Sequence, residues 1–181
     1  MIPAPFDYVR AGSAGEAIAA LAEHGDDAKL LAGGMSLLPL MKLRLATPAV
    51  LVDVGRVRDL SYVRDAGDHV AVGALTRHRD LEISDVLAAQ CAPLRTVAAE
   101  VGDNQVRHRG TIGGSVSHGD PASDLPALLA DLADPSGCAE ACAELDMRIV
   151  HQGGIYPATV AAVPILIDYV PPRMRRPESR C

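Results

Sequence analysis

The stretch T-I-G-G-S-V-S-H-G-D-P-A-S-D, Thr111 to Asp124, is the place from which the rest of the chain is read. Its glycines, hydroxyl residues and aspartates form no apolar pattern, so nothing in it reads as core. The pair Gly113–Gly114 allows positive φ and a close approach by another group. Bare amides and small hydroxyls are what an anion such as a phosphate needs. A second pair, Gly33–Gly34 in A-G-G-M-S, lies far upstream. Each pair follows a short apolar run and is followed by a serine. The expectation is that the two loops meet over one phosphate-bearing ligand. An aspartate next to a phosphate loop needs a different partner, and a sugar hydroxyl supplies one, since a carboxylate accepts from hydroxyls.

Working outward, the pattern alternates single strands and short helices. Phe6–Val9 reads as a strand. Ser13-Ala-Gly-Glu16 reads as a capping box opening a helix with Ile18, Leu21 and Ala22 on its apolar face and Gly25 as its stop. Lys29–Ala32 reads as a strand running into the first glycine pair, and Leu37–Leu45 as a helix with Pro39 in its first turn. That strand–loop–helix turn faces the free N–H groups of the helix start outward. Val50–Val54, Leu60–Arg64 and His69–Gly73 read as strands, the last two joined around Asp65–Asp68. Arg77–Val101 turns helical, with Asp85, Val86, Leu87 and Ala88 starting one helix and Pro93 starting another that carries Leu94, Val97, Ala98 and Val101 on one face. Asn104–Gly110 is polar, and its Arg107, His108 and Arg109 are as consistent with charge beside the ligand as with a solvated loop. Leu125–Leu132 reads as a short helix. The fold class is α+β.

Composition narrows the function. The chain has 181 residues, a formal charge of −6 and two lysines, Lys29 and Lys42. That argues against a nucleic-acid or anionic-membrane partner. The apolar run 155–170 is broken by Pro157 and Pro164, so no membrane span is expected. M-I-P-A-P-F-D-Y has no basic region followed by an apolar run, so no secretory leader is expected. Cys91, Cys138, Cys142 and Cys181 form no disulfide framework, and a cytoplasmic location follows as the default. Cys138, Cys142 and His151 make a poor zinc set, His118 with Asp120 a poorer one, and no metal is expected. No G-x-S-x-G elbow marks a nucleophile, and no side chain is expected to be catalytic.

Three motifs together carry a resemblance: M-I-P-x-x-F-D-Y, then L-A-G-G-M-S-L-L-P-L-M-K-L-R-L-A-T-P, then T-I-G-G-S-V-S-H-G-D-P-A-S-D-L-P-A-L. The chain resembles the medium, FAD-binding subunit of molybdenum hydroxylases, of the carbon monoxide dehydrogenase type, with xanthine dehydrogenase flavin domains more distant. The resemblance covers residues 1–133. It implies a two-lobed α+β FAD-binding domain of the vanillyl-alcohol oxidase and p-cresol methylhydroxylase type, with lobes at about 1–54 and 55–133. It implies that Ala32, Gly33, Gly34, Met35 and Ser36, with Leu30 and Leu31 before them, hold the FAD pyrophosphate. Gly110, Thr111, Gly113, Gly114 and Ser115 continue around the cofactor, Val101 and Val106 line its pocket, and Asp124 holds its sugar-side hydroxyls. The family's first loop usually has Gln or His where this chain has Met35, and its second usually has Asn where this chain has Ser115.

The implied role is electron transfer. A large molybdenum subunit oxidises the substrate, a small subunit with [2Fe–2S] clusters relays electrons, and FAD in this chain passes them to an external acceptor. The resemblance ends near Ala133. Residues 134–181 are expected to be a divergent, poorly ordered tail from a truncated or frameshifted reading frame, in place of the family's C-terminal domain. Two alternatives stay open: a cofactor-poor remnant or interaction module, and a phosphate-binding domain for another nucleotide.

Overall fold

A computed structural model describes residues 2–67, 69–120, 123 and 125. Asp124, the expected helix over 125–132 beyond its first residue, and the tail with Cys138, Cys142, His151 and Cys181 lie outside the described residues.

The first half builds a three-stranded parallel sheet from β1 (Asp7–Arg10), β2 (Ala28–Leu31) and β3 (Val50–Asp53), in the order β1-β3-β2. The order follows from composition. Val50, Leu51 and Val52 are all buried, as a central parallel strand requires on both faces. The edge strands carry Asp7, Tyr8, Arg10 and Lys29, which are exposed. α1 (Ala14–His24) crosses between β1 and β2. Ser13 Oγ accepts from the Glu16 amide at 3.2 Å, while the Glu16 carboxylate accepts from Gly12 N at 2.7 Å, one residue earlier than the usual box. Gly25, at φ 54°, closes the helix.

The buried stripe of α1 differs from the expected one. Ala17 and Ala20 are buried and Leu21 half-buried, whereas Ile18 is 66% exposed and Ala22 is exposed. Small side chains let the helix lie close on the short sheet, so alanines are selected for that face and the bulkier Ile18, about 100° further round the helix, faces outward. The resulting core joins Ala11, Ala17, Ala20 and Ala28 to Val50, Val52, Val54 and Val57, and Leu60 and Leu75 pack against it.

The glycine loop after β2 leads into α2 (Leu37–Lys42), which buries Met41. The expected strand over Leu60–Arg64 starts late, because Arg58–Leu60 forms a 3₁₀ turn first. β4 (Val63–Asp65) and β5 (Val70–Val72) pair antiparallel. Gly67, at φ 95°, donates to Asp65 Oδ1 in the turn between them.

The long helical pattern resolves into α3 (His78–Glu82), α4 (Asp85–Gln90) and α5 (Ala92–Glu100). Ser84 Oγ caps α4, and a proline in the first turn starts α5. Leu81, Leu87, Leu94, Val97 and Ala98 then form a second core with Val70, Val72 and Ile112.

Two segments read as loops are helical. Asp103 caps a single turn, α6 (Asn104–Arg107), through Oδ1 to Val106 N at 2.9 Å. Thr111 caps α7 (Ile112–His118) through Oγ1 to Gly114 N at 3.2 Å. Gly119, at φ 61°, ends α7 in the left-handed conformation. Thr111 and Ile112 are both 6% exposed, so the start of this stretch is core, contrary to its polar appearance. The architecture is α+β, as expected.

Candidate functional site

The two glycine stretches meet, and the contact is backbone against backbone. A Cβ placed on Gly33 would lie 2.1 Å from the Arg109 carbonyl oxygen and 2.9 Å from Gly110 Cα. No side chain fits there, so glycine at position 33 is required by the close approach. Gly34 sits at φ 75°, which no β-branched or bulky residue adopts without strain, and its hydrogen faces Leu31 and Leu38.

The two loops use their amides differently. Among the described residues, the N–H groups of Ala32, Gly33, Gly34, Met35 and Ser36 donate to no protein acceptor. Five consecutive unpaired amides on a half-exposed loop are a donor set for an anion or for water, because strand β2 has ended before them and helix α2 has not begun to use them. The lining is neutral and apolar: Leu31 is half-buried, while Leu30 and Met35 are each 38% exposed.

The second stretch has little donor capacity left, which corrects the expectation of bare amides there. Gly110 N donates to Val106 O, Ile112 N to Thr76 O, Gly113 N to Ala74 O and Ser115 N to Thr111 O, all at 2.7–3.0 Å. Gly114 N goes to Thr111 Oγ1. Only Thr111 keeps an unpaired amide in 110–115 among the described residues. The glycines here serve packing: a Cβ on Gly113 would lie 2.7 Å from Ala74 O, and one on Gly110 would lie 2.8 Å from the His78 ring. Ser115 Oγ lies 3.4 Å from Ser123 Oγ, a weak contact.

The three basic residues before this stretch divide in role. The Arg107 guanidinium is engaged inside the fold by Glu82 at 3.2 Å and by the carbonyls of Val101 and Gly102. His108 Nδ1 contacts Asn104 O at 2.7 Å. Arg109 is exposed, and its own backbone is what Gly33 touches. Val106 is half-buried over Gly102, and Val101 is half-buried against the second core.

Sequence reasoning missed His78. It is 3% exposed, its backbone N–H donates to Gly110 O at 3.1 Å, and its ring packs on Gly110. Nδ1 has no hydrogen-bond partner. Burial lowers its pKa to about 4, so the ring is neutral at physiological pH. The sequence offered no local signal: His78 sits between two arginines in T-R-H-R-D-L, and no spacing rule ties it to a glycine thirty-two positions later.

A pyrophosphate-bearing cofactor fits this arrangement on one observation: the run of unpaired amides at Ala32–Ser36. Comparison with known proteins gives the same answer. Over 128 residues the chain is 49% identical to the carbon monoxide dehydrogenase medium chain of Hydrogenophaga pseudoflava, covering 71% of this chain and 45% of that one. It is 42% identical over 132 residues to the glyceraldehyde dehydrogenase medium chain of Sulfolobus acidocaldarius, covering 73% of this chain and 47% of that one. The chain thus spans about half the length of the curated relatives it matches.

Among solved structures, carbon monoxide dehydrogenase from Hydrogenophaga pseudoflava superposes with a TM-score of 0.71 at 46% identity, covering 76% of this chain and 50% of that one. Quinoline 2-oxidoreductase from Pseudomonas putida 86 does so with a TM-score of 0.70 at 36% identity and the same coverage. Residues 4–133 match the model of the FAD binding domain in molybdopterin dehydrogenase, and the chain belongs to that family.

Proposed function

We propose that this chain is the FAD-binding electron-transfer subunit of a carbon monoxide dehydrogenase-like molybdenum hydroxylase. It works with a large molybdenum-binding subunit and a small iron–sulfur subunit, in the cytoplasm. FAD supplies the redox chemistry, taking electrons from [2Fe–2S] clusters and giving them to an external acceptor. The chain's own residues bind and orient. Amides of Ala32–Ser36 donate to the pyrophosphate. Leu30, Leu31, Val101 and Val106 wall the apolar part, Thr111 contributes its free amide, and Asp124 accepts from sugar-side hydroxyls. Gly110, Gly113, Gly114 and Ser115 hold the second wall in place. No residue of this chain is asked to act as acid, base or nucleophile.

The observation that carries the reading is the five-amide run at Ala32–Ser36, with Gly33 pressed against Arg109. Backbone donors explain how an acidic chain with two lysines holds a diphosphate. Among the described residues no helix is long and apolar enough to cross a membrane.

The test is a titration of the purified chain with FAD, followed by quenching of flavin fluorescence, with ATP and NAD as competitors. Saturable binding that the competitors displace poorly is expected. Gly33→Ala should weaken it at least tenfold, because its Cβ would force the loop off Arg109. Tight ATP or NAD binding without FAD preference would replace this reading with a binding domain for another nucleotide. Assembly with the partner subunits in a flavin-free state would replace it with an interaction module.

A further inference from the structure

Arg107 lies between the elements that form the site and belongs to none of the motifs that mark it. Its guanidinium is mostly buried, with 18% of the side chain exposed. Nε stands 3.2 Å from Glu82 Oε2 at the end of α3, a charge contact without hydrogen-bond alignment. Nη1 donates to Gly102 O at 3.3 Å and, at the long limit, to Val101 O at 3.5 Å. One side chain therefore holds the end of α3 and the turn between α5 and α6.

The other end of α3 holds the same segment. His78 N donates to Gly110 O at 3.1 Å, and the His78 ring packs on Gly110. So α3 grips the segment 101–110 at two points, Arg107–Glu82 at one and Gly110–His78 at the other. What that segment presents on its far side is the Arg109 carbonyl and Gly110 Cα, which meet Gly33. The tolerance at that contact is small: it has no room for a methyl group. A shift of the segment by a few tenths of an ångström is felt directly at the first glycine loop.

We propose that Arg107 is a positioning residue of the cofactor site: by pairing with Glu82 and bonding the carbonyls of Val101 and Gly102, it sets the segment 101–110, and with it the Arg109–Gly110 wall, against the Ala32–Ser36 loop. Its partners, Glu82 and the carbonyls of Val101 and Gly102, all lie outside the Ala32–Ser36 loop. The inference rests on the FAD reading for its consequence, but the placement of the segment is independent of any ligand. The chemistry requires arginine. A lysine retains the charge opposite Glu82, yet a single ammonium cannot span a carboxylate and two carbonyls that the planar guanidinium reaches together.

The experiment compares the full chain with Arg107→Lys, Arg107→Gln and Glu82→Gln. Without ligand, two-dimensional amide NMR reads the resonances of Gly33 and Gly34, and hydrogen exchange reads the amides of Gly110 and His78. With FAD, fluorescence gives the dissociation constant and visible circular dichroism reports the setting of the bound flavin. Both Arg107 variants should shift Gly33 and Gly34, speed exchange at Gly110 and His78, raise the FAD dissociation constant about tenfold and alter the flavin dichroism. Glu82→Gln, which leaves the carbonyl bonds, should do the same to a smaller extent.

A purely stabilising charge would be rescued by lysine. If Arg107→Lys leaves the Gly33 and Gly34 resonances, the exchange rates and the flavin dichroism unchanged, the proposal is overturned while the FAD reading stands. If the parent chain binds no FAD, that reading falls, and the resonances and exchange rates still decide whether Arg107 sets the segment. Should Arg107→Gln fail to fold, Arg107→Lys and Glu82→Gln carry the comparison.

Discussion

At the scale of single residues, two positions are dictated by what surrounds them. Gly33 is fixed by the Arg109 carbonyl, and this is legible only once the two distant segments are in contact. His78 is fixed by burial. Its folded pKa lies near 4 against an ordinary value of 6.5, because desolvation penalises the charged ring. The sign follows directly. Above pH 6.5 the ring is neutral in both states and the stability is intact. Between pH 6.5 and 4 the unfolded chain takes up a proton that the folded chain refuses, so stability falls as pH falls. The loss by pH 4 is on the order of 2–3 kcal/mol. Urea unfolding at pH 7 and pH 4.5 should show this drop in the parent chain and a flatter dependence in His78→Gln. Equal slopes in the two proteins would show that the ring does not titrate in that window. Glu82 acts in the same direction at lower pH: its carboxyl is held below the ordinary value, first by the Arg79 hydrogen bond and then by charge, so its contribution is lost only as pH falls further.

At the scale of elements, the end of α2 departs from the usual rule. Arg44 has φ 59°, and Leu45 N reaches back to Leu40 O at 2.9 Å, the pattern that closes a helix with a left-handed residue. Glycine normally takes that place, because a Cβ there costs about 1 kcal/mol. Arg44→Gly should therefore raise stability by roughly 0.5–1 kcal/mol, read as a shift of the urea midpoint at unchanged slope. A loss of stability instead would show that the Arg44 side chain makes up more than its backbone strain. The start of α1 is the opposite case. Ser13 and Glu16 announce the cap in the sequence and form it, with Glu16 bonding Gly12. Its buried face was not legible, since Ile18 and Ala22 are apolar and yet exposed, while plain alanines meet the sheet.

At the scale of the molecule, the described residues form two cores of different make. One is alanine and valine under a parallel sheet; the other is leucine-rich among α3, α4, α5 and the β4–β5 hairpin. We propose that the lobes about 1–54 and 55–133 nevertheless unfold as one unit. Leu60 and Leu75 lie beyond the first lobe and pack on its core, and Gly33 meets Arg109 across the boundary. Leu94→Ala, at a fully buried site, should cost about 2–5 kcal/mol. Val52→Ala, in the other core, should cost about 1.5–3 kcal/mol. In calorimetry both should move the same single transition. Two transitions, each responding to one substitution, would mean that the lobes fold separately.

The sequence by itself determined the class of the fold, the order of most elements, the cap at Ser13 and the first glycine loop. These depend on neighbours a few positions apart: apolar spacing, a hydroxyl before a helix, a glycine pair after a strand. It also carried the family, because three motifs stood in the right order. Tertiary structure alone decided the rest. It made Ile112–His118 a helix, since Thr111 caps it and Ile112 finds a core that no local pattern announces. It turned the second glycine pair from a donor loop into a packing surface, since Ala74 and Thr111 take its amides. It also spent Arg107 on Glu82 and two carbonyls. The core around Ile112, the Ala74 carbonyl and Glu82 are distant along the chain from the groups they meet, and only the folded chain brings them within hydrogen-bond or van der Waals reach.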